Sequence, residues 1–397
     1  MKHNLRNALM LLLPIIAVAC GSPAAPTTAP VAATAVPVAA TVAPAATAKP
    51  ADTAAPAATA KPADTAAPAA TAAATATAAT ATAAGAIDKT GWPAQFTLGL
   101  FGSDDAEKVL KNAESLRLRL EKALGIPVKM FTGTSYTAVI EAMRAKRVDA
   151  MEVGPFSYTL AVQEAGAEAI AVNISPSLKP TDTAKYDDKL TPYYYSIIFT
   201  KKGSGIATLA DLKGKGFNFV DPASTSGHLM PKTYLVNHGI DPDKDLKAVF
   251  AGSHPTSVLS VWNGKAPAGA TYEDNMYALQ DNGQVDFCGF PTKHVRPSEA
   301  DIKAVFDKCP DGKLAVLAFT DAIPNTPFAV RPDLPASMKK AIKDTLLSIK
   351  DDPEMVAAYR QWYVDPSVAL GLKSLDQFYD PLRDIAKILN LDLKKMK

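Results

Sequence analysis

Three hydroxyl-bearing residues, Ser224, Thr225 and Ser226, stand in a row inside the segment Asp221–Gly227. A strand pattern ends just before this segment and a helical pattern follows it. Hydroxyl groups and free backbone N–H groups at the positive end of a helix dipole can bind an anion. The segment lacks the Gly-Lys-Ser/Thr ending of a nucleotide-binding P-loop. It therefore predicts either a site for a small anion or a plain helix cap made by one of the hydroxyls.

Strand and helix patterns alternate along residues 92–397 and must position this motif. The first series has strands at 96–101, 128–131, 150–153 and 168–173, and helices at 105–124, 136–145 and 155–165. The second has strands near 217–220, 247–251, 268–271 and 314–319, and helices near 227–238, 254–263 and 274–281. The last helices are at 335–350, 353–363 and 374–389. This order predicts mostly parallel sheets with helices on both faces.

A long strand pattern at 193–200 separates the two series, so we predict an α/β fold with two lobes. We assign residues 92–195 together with 323–397 to lobe 1, and residues 196–322 to lobe 2. A crevice between two lobes is a common ligand site. Hinged lobes that close on a ligand are a well-known class of moving structure.

Charge and cysteine content exclude several classes of function. Residues 92–397 hold 37 of the 42 lysines and arginines and 37 of the 40 aspartates and glutamates. This balance argues against a nucleic-acid-binding surface. Three cysteines without a Cys-x-x-Cys pair indicate neither a disulfide-rich scaffold nor a zinc site. Since the sequence contains no nucleophile–base pair, metal-ligand spacing or cofactor fingerprint, we expect no metal, no cofactor and no enzymatic activity.

The first twenty residues have the pattern of a secretory signal peptide. Lys2 and Arg6 precede an apolar run from Ala8 to Ala19 that is shorter than the ~20 residues needed to span a bilayer. Cys20 follows small residues, as in the lipoprotein box, where the cysteine is acylated. Ala17 stands where leucine is usual, and plain signal cleavage with an incidental Cys20 is the alternative. We predict a lipoprotein held outside the cytoplasm.

Residues 21–91 have the composition of a disordered linker. They are almost entirely Ala, Pro, Thr and Val, and no aromatic residue occurs before Trp92. A 12-residue repeat covers residues 44–55 and again 56–67. Such a segment cannot bury enough apolar surface to offset chain entropy. As a flexible coil it would span roughly 50 Å, which suits a spacer between a membrane and a folded domain.

The remaining cysteines and histidines admit simple interpretations. Cys288 and Cys309 flank a segment of 20 residues that we interpret as an insertion. Outside the cytoplasm we predict a disulfide between them; a catalytic cysteine is the alternative, and no motif supports it. His228, His238 and His294 have no partners at metal-ligand spacing, and we interpret them as surface or packing residues.

Several further motifs accompany Asp221–Gly227 in a fixed order along the chain. They are Leu229–Pro231, Thr134–Ile140, Val148–Phe156, Tyr193–Ser196, Leu209–Gly214, Ala251–His254 and Pro324–Arg331. Together, over essentially all of 96–390, they resemble the phosphonate-binding family of extracytoplasmic solute-binding proteins. That resemblance implies a type II periplasmic-binding fold with two crossover hinge strands. It also implies binding of phosphonate, phosphite or phosphate for an ABC importer.

The resemblance further implies which residues bind the ligand. The hydroxyl and amide groups of Ser224, Thr225 and Ser226 correspond to those that hold the phosphorus oxyanion. Tyr136 and Tyr194 correspond to the two tyrosine ligands of the family, since a phenol donates to an oxyanion and its ring lines the pocket. A core or hinge aromatic residue is the alternative for Tyr136. The register of Tyr194 against its two tyrosine neighbours is open.

The resemblance is less direct at five other positions. His254 corresponds to a histidine that donates to the oxyanion; a capping role is its alternative. Glu273 and Asp274 fall where the family places acidic groups that accept from an aminoalkyl group or a ligand O–H; a favourable pair at a helix start is the alternative. Thr326 and Pro267 stand where aspartates are usual or common. The ligand therefore stays open among phosphonate, phosphite, phosphate and other oxyanions.

These expectations combine into one predicted function. A lipid-anchored protein, in the periplasm or on the outer face of the cytoplasmic membrane, would bind a small phosphorus oxyanion and deliver it to an ABC permease and its ATPase. The alternative is a sensor with the same fold that presents its ligand to a signalling partner. We favour the importer because no kinase or transmembrane segment follows up to Lys397. We expect no nucleic-acid partner.

Overall fold

The computed structural model describes residues 87–102, 105–174, 192–291 and 293–389, which belong to one compact unit. The signal peptide, the lipidation of Cys20 and the linker up to residue 86 lie outside these residues and stay predictions. Within the described ranges, no helix has the length and apolar character needed to cross a bilayer. The same ranges contain no group of three His, Cys, Asp or Glu residues suited to a metal ion.

Strands and helices alternate along the described chain. The strands are β1 (Phe96–Phe101), β2 (Val128–Gly133), β3 (Ala150–Glu152), β4 (Glu168–Ile174), β5 (Tyr193–Tyr194), β6 (Ser196–Lys201), β7 (Gly216–Phe219), β8 (Lys247–Phe250), β9 (Ala268–Tyr272), β10 (Phe287–Cys288), β11 (Leu314–Phe319), β12 (Ile323–Pro324), β13 (Pro327–Val330) and β14 (Trp362–Val364). The helices are α1 (Ala106–Leu124), α2 (Tyr136–Arg144), α3 (Pro155–Ala165), α4 (Met230–Asn237), α5 (Pro242–Asp245), α6 (His254–Trp262), α7 (Glu273–Asp281), α8 (Glu299–Lys308), α9 (Ala336–Leu347), α10 (Pro353–Tyr359) and α11 (Asp380–Ile388). A π-helical turn over Thr225–Leu229 leads directly into α4.

The first sheet has the strand order β14-β4-β13-β3-β1-β2. Its strands β1, β2 and β3 are parallel, while β13 and β14 run antiparallel to their neighbours. Ala150 and Met151 are consecutive on β3, yet they belong to two different hydrophobic cores. Successive side chains of a strand point to opposite faces, so this sheet is buried on both faces. Helices α1 and α9 contribute to one core, and α2, α3 and α11 to the other.

The second sheet has the order β10-β11-β6-β9-β7-β8. Strands β7, β8 and β9 are parallel, and β6 lies antiparallel between β9 and β11. The carboxyl ends of β7, β8 and β9 therefore share one edge with the start of β6. This edge carries the segments that the sequence identified as functional.

Two short crossover strands connect the sheets. β5 pairs antiparallel with β12, with Tyr194 opposite Ile323 and Tyr193 opposite Pro324. The chain passes from the first sheet to the second through β5 and returns through β12. Tyr195 separates β5 from β6, so the strand predicted at 193–200 is two strands. The predicted two-lobed α/β fold with two crossover strands is confirmed, while the residue limits of the lobes stay a prediction.

The end of the helix predicted at 353–363 is wrong. Helix α10 stops at Arg360, which has a left-handed φ of 59°. Trp362 and Tyr363 then form the edge strand β14, where Trp362 pairs with Ile174 of β4. Both aromatic side chains are buried there. Helical spacing of apolar residues does not reveal that a sheet edge is available to cover them.

Cys288 and Cys309 form a disulfide in the structure. Cys288 lies on β10, and Cys309 follows the last residue of α8. The segment that we interpreted as an insertion therefore includes a helix, which begins after its capping residue Ser298. The disulfide ties both ends of this segment together.

Removing the disulfide should lower stability, because it closes a loop with a sequence separation of 21 residues. In the chain-entropy model such a loop contributes roughly 3 kcal/mol to the free energy of unfolding. We expect a loss of about this size in the double variant Cys288→Ser and Cys309→Ser, measured by denaturant titration without ligand. A reducing agent should reproduce the loss in the wild type and leave the double variant unchanged. Equal unfolding midpoints for both proteins would show that the cross-link contributes nothing.

Candidate functional site

The turn Asp221–Gly227 is held in shape by its own side chains. Asp221 Oδ1 accepts a hydrogen bond from the backbone N–H of Ala223 at 2.8 Å. Ser224 Oγ accepts from the backbone N–H of Gly227 at 3.0 Å and so caps the following helical segment. A β-carbon on residue 227 would lie 2.4 Å from Cβ of Val220, so only glycine fits there. The capping interpretation is thus correct for Ser224, and it leaves the other two hydroxyls to be explained.

The same turn contacts the opposite lobe. Thr225 Oγ1 accepts from the backbone N–H of Phe156 at 2.8 Å, and Ser157 Oγ donates to the carbonyl oxygen of Ala223 at 2.7 Å. Phe156 and Ser157 lie in the first turn of α3. A β-carbon on Gly154, just before that helix, would lie 3.2 Å from Thr225 Oγ1, so the glycine permits this close approach. The two lobes therefore meet directly at the hydroxyl-bearing turn.

Tyr136 reaches this turn from the first lobe, as the first residue of α2. Its side chain is buried, and its ring stacks on Phe101 with the ring centroids 4.0 Å apart. Burial raises the pKa of the phenol well above its usual value; Tyr194 and Asp221 add to the shift, and a hydrogen bond with Ser224 opposes it. The phenol is therefore protonated at neutral pH and available as a donor.

Tyr194 reaches the turn from the crossover strand β5. Its phenol is hydrogen-bonded with the side chains of Ser226 and Thr225, and burial raises its pKa above the usual value. Tyr193 and Tyr195 instead pack against phenylalanine rings elsewhere. Of the three adjacent tyrosines, the structure places Tyr194 at the hydroxyl-bearing turn.

His254 begins α6 at the same sheet edge. Its Nε2 atom lies 3.5 Å from Ser224 Oγ, and its Nδ1 atom lies 3.0 Å from Thr271 Oγ1. Ser253, and not His254, caps the helix with its side chain. Burial lowers the pKa of the imidazole to about 3. The ring is therefore neutral at neutral pH, with one nitrogen donating and the other accepting.

Burial of His254 in its neutral form should make stability depend on pH under acidic conditions. Between pH 6.5 and about 3 the unfolded chain binds a proton at His254 that the folded protein does not, so stability is complete above pH 6.5 and is lost as the pH falls. The slope is at most about 1.4 kcal/mol per pH unit. We expect His254→Asn to lose less stability than the wild type between pH 7 and 4, measured by denaturant titration.

A surface histidine provides the control for this experiment. His238 is exposed and stacks on Tyr234, so His238→Asn should keep the slope of the wild type. An unchanged slope in His254→Asn would mean that another group is responsible for the acid sensitivity.

Six of the nine sequence-predicted ligand residues thus meet in one place, which we call the hydroxyl cluster. Its members are Tyr136, Tyr194, Ser224, Thr225, Ser226 and His254. Sequence reasoning missed Tyr272, whose ring meets those of His254 and Tyr194 edge-on, with centroids 4.7 and 6.4 Å away. Burial raises its pKa to about 12. Its position at the end of β9, directly before two acidic residues, was the available signal.

The acidic pair Glu273 and Asp274 begins α7 next to Tyr272. His294 lies against both carboxylates: its Nδ1 atom is 3.5 Å from Glu273 Oε1, and its Nε2 atom is 3.4 Å from Asp274 Oδ1. Burial raises the pKa of Glu273 to about 8, helped by Asp274 and opposed by the His294 backbone and Lys293. Burial also raises the pKa of Asp274. The interpretation of His294 as a surface or packing residue missed both partners.

Thr326 directly precedes β13, and Pro267 directly precedes β9. Thr326 is half-buried just before β13, where its carbonyl oxygen accepts from the backbone N–H of Asn173 and its N–H donates to Asn325 Oδ1. The contacts found among the described residues do not join its side chain to the cluster. Pro267 precedes β9, roughly 16 Å along the strand from Tyr272 at 3.3 Å per residue. Pro267, where the sequence departs from the family pattern, therefore lies away from the site.

A family model described as the periplasmic substrate-binding protein of phosphonate ABC transporters matches residues 98–371. The chain belongs to this family. The resemblance seen in the motifs is thereby confirmed. The phosphonate-binding family is a family of binding components, which agrees with the expectation that the chain is not an enzyme.

Individual relatives of this phosphonate-binding family match shorter stretches. The phosphate-import protein PhnD of Mycolicibacterium smegmatis is 31% identical over 191 residues, which cover 46% of this chain and 56% of the relative. The phosphonates-binding periplasmic protein of Escherichia coli is 26% identical over 239 residues, which cover 59% of this chain and 60% of the relative. The chain thus spans less than two thirds of the length of these curated relatives.

A solved structure shows the same fold. It is a protein from Prochlorococcus marinus in complex with methylphosphonate, with 18% sequence identity and a TM-score of 0.56. The similarity covers 75% of this chain and 99% of the other. The predicted type II periplasmic-binding fold is therefore confirmed.

Proposed function

We propose that the chain binds a small phosphorus oxyanion between its two lobes and delivers it to an ABC permease and its ATPase. The hydroxyl cluster is the observation that carries this proposal. Its donors come from the second lobe, from α2 of the first lobe and from the crossover strand β5, and they converge on one buried turn. Membership in the phosphonate-binding family supports the proposal.

Each part of the cluster has a distinct task in this proposal. Ser224, Thr225 and Ser226 offer hydroxyl groups, and Thr225 and Ser226 also offer backbone N–H groups, at the start of a helical segment, where the helix dipole favours an anion. The Tyr136 and Tyr194 phenols, kept protonated by burial, donate from the other sides. Since the donors sit on both lobes and the connection between them, a bound oxyanion stabilises the closed arrangement.

The cluster has no cationic side chain among its six members, since the His254 imidazole is neutral. The oxyanion is therefore held by hydrogen bonds from neutral donors. Hydrogen bonds to a charged acceptor are shorter and stronger than bonds between neutral groups. A neutral His254 still contributes one N–H donor to the ligand when the proton is on the nitrogen that faces the cluster.

Isothermal titration calorimetry with methylphosphonate, phosphite and phosphate tests the proposal. We expect a Kd in the micromolar range or below for at least one of them, which corresponds to about 8 kcal/mol or more of binding free energy. Acetate, a planar carboxylate without the tetrahedral arrangement of oxygens, is the control and should give no measurable heat. Binding of none of the three phosphorus oxyanions would contradict the proposal.

We infer that Cys20 is acylated and that residues 21–91 separate this anchor from the binding domain. Cys20→Ser should move the protein from the membrane fraction to the soluble fraction after ultracentrifugation. Ligand affinity should stay within about twofold of the wild type, because we expect a long linker rich in Ala and Pro to transmit no strain to the binding domain. Ser22→Ala is the matched control and should stay with the membranes. A Cys20→Ser protein that still sediments with membranes would contradict lipidation.

A further inference from the structure

Three buried polar atoms near the hydroxyl cluster lack a hydrogen-bond partner among the described residues. They are Oε1 of Glu273, Oδ1 of Asp274 and Nε2 of His294. The Glu273 side chain is only 3% exposed. The imidazole lies 3.4 to 3.5 Å from both carboxylates, so the three groups face one another without well-formed hydrogen bonds. These three buried atoms could therefore form hydrogen bonds that the described residues do not provide.

Two adjacent carboxylates in a buried place need a positive or proton-bearing neighbour, because like charges and desolvation both disfavour their ionised forms. His294 supplies that neighbour from the segment between β10 and α8. Lys293 supports it from the same segment, with its Nζ atom 4.3 Å from the ring centroid of Tyr277. The disulfide between Cys288 and Cys309 closes this segment and keeps it near the acidic pair.

The acidic pair lies beside the hydroxyl cluster. Glu273 and Asp274 directly follow Tyr272, whose ring touches those of His254 and Tyr194. Tyr272 ends β9 and occupies the N-cap position of α7, and Glu273 and Asp274 lie in the first turn of that helix. A substituent that extends from an oxyanion in the cluster toward Tyr272 therefore approaches Glu273 and Asp274. His294 already contacts both of these carboxylates.

We propose that His294 is a specificity-determining residue. Its imidazole occupies the position beside Glu273 and Asp274 that an ammonium group of the ligand would otherwise occupy. This inference rests on the proposed function and narrows its ligand class. The protein prefers phosphorus oxyanions with small uncharged substituents. An aminoalkylphosphonate binds more weakly, because its ammonium group must displace the imidazole before it reaches the acidic pair.

Ethylphosphonate and 2-aminoethylphosphonate test this inference, since they differ only in an amino group. We expect the wild-type protein at pH 7 to bind ethylphosphonate at least tenfold more tightly in calorimetry. His294→Asn removes the imidazole, and asparagine tolerates the left-handed φ of 60° at this position. In this variant the preference should fall at least tenfold, mainly through tighter binding of 2-aminoethylphosphonate. His238→Asn, on an exposed histidine, should keep the wild-type preference.

A second substitution identifies the groups that hold the amino group. Adding Asp274→Asn to His294→Asn should remove the gain in 2-aminoethylphosphonate affinity that His294→Asn alone produces. His294→Gly, which also accepts the left-handed backbone, provides a second test if the asparagine variant unfolds at a lower temperature than the wild type. The same loss of preference in that variant would support the inference.

The outcomes separate this inference from the proposed function. If neither phosphonate nor phosphate binds to the wild type, the proposed function fails and the inference fails with it. If both phosphonates bind and their affinity ratio is the same in the wild type and in both His294 variants, the inference alone is wrong. Tight binding of 2-aminoethylphosphonate to the wild type would also overturn it.

Discussion

Gly227→Ala should weaken binding of the phosphorus oxyanion at least a hundredfold and lower stability. The new β-carbon would lie 2.4 Å from Cβ and Cγ2 of Val220 and 2.8 Å from Ser224 Oγ. Val220 is buried, so the turn and not its neighbour must move. Overpacking of this kind costs about 1–3 kcal/mol of stability. The movement also displaces the Ser224 hydroxyl and the backbone N–H groups that face the ligand.

The measurements are calorimetry for the Kd and denaturant titration for the free energy of unfolding. Gly216→Ala is the control. Gly216 is the first residue of β7, the strand that leads into the hydroxyl-bearing turn. Its β-carbon would lie 3.2 Å from Cδ of the Pro267 ring and far from the turn. We expect a smaller loss of stability there and a Kd within about threefold of the wild type. Wild-type affinity in Gly227→Ala would show that the turn does not bind the ligand.

Ser224→Ala should weaken oxyanion binding ten- to hundredfold. A hydrogen bond to a charged group contributes about 1.5–3 kcal/mol, and each 1.4 kcal/mol corresponds to about a tenfold change in Kd. The variant also loses the cap on the N–H of Gly227, at 3.0 Å in the wild type. Loss of a cap typically costs about 1 kcal/mol of stability. The two effects must be separated, because both interpretations of this serine concern the same hydroxyl.

Ser298→Ala separates them. Ser298 caps α8 in the same way, by accepting from the backbone N–H of Asp301 at 3.1 Å, and it is a surface position. We expect a similar loss of stability in this variant and an unchanged Kd. If Ser224→Ala behaves like Ser298→Ala in both measurements, Ser224 is a helix cap and nothing more, and the anion site is misplaced.

Local signals predicted much of the fold. The limits of β1, α3 and β11 agree with the prediction to the residue. Helix α1 ends at Leu124, as predicted, and the next residue, Gly125, has a left-handed φ of 60°. Proline, glycine and capping residues act within a few positions of the chain, so a sequence displays them directly. The strand β14 was missed because its identity depends on pairing with β4, nearly 190 residues earlier.

The candidate site shows the same division between local and distant information. The hydroxyl-bearing turn is a continuous motif and was visible in the sequence. The choice of Tyr194 among three adjacent tyrosines required the crossover strand, whose alternation decides which ring faces the turn. His294 could not be predicted as a partner of Glu273 and Asp274, because the intervening segment folds back only through β10 and the disulfide. The roles of these residues toward a ligand stay predictions until binding is measured.

The Thr225 hydroxyl links the proposed ligand site to the opposite lobe. Its oxygen accepts the N–H of Phe156 from the opposite lobe, and its own O–H can donate, either to the Tyr194 phenol or to a ligand that replaces it. Hydrogen bonds in a chain polarise and strengthen one another. An anion that accepts the O–H of Thr225 therefore strengthens the hydrogen bond that Thr225 Oγ1 accepts from the N–H of Phe156 on the other lobe. If the chain binds an oxyanion as we propose, we expect this hydroxyl to couple ligand binding to closer packing of the two lobes, so that a permease that contacts both lobes would distinguish the bound protein from the free protein.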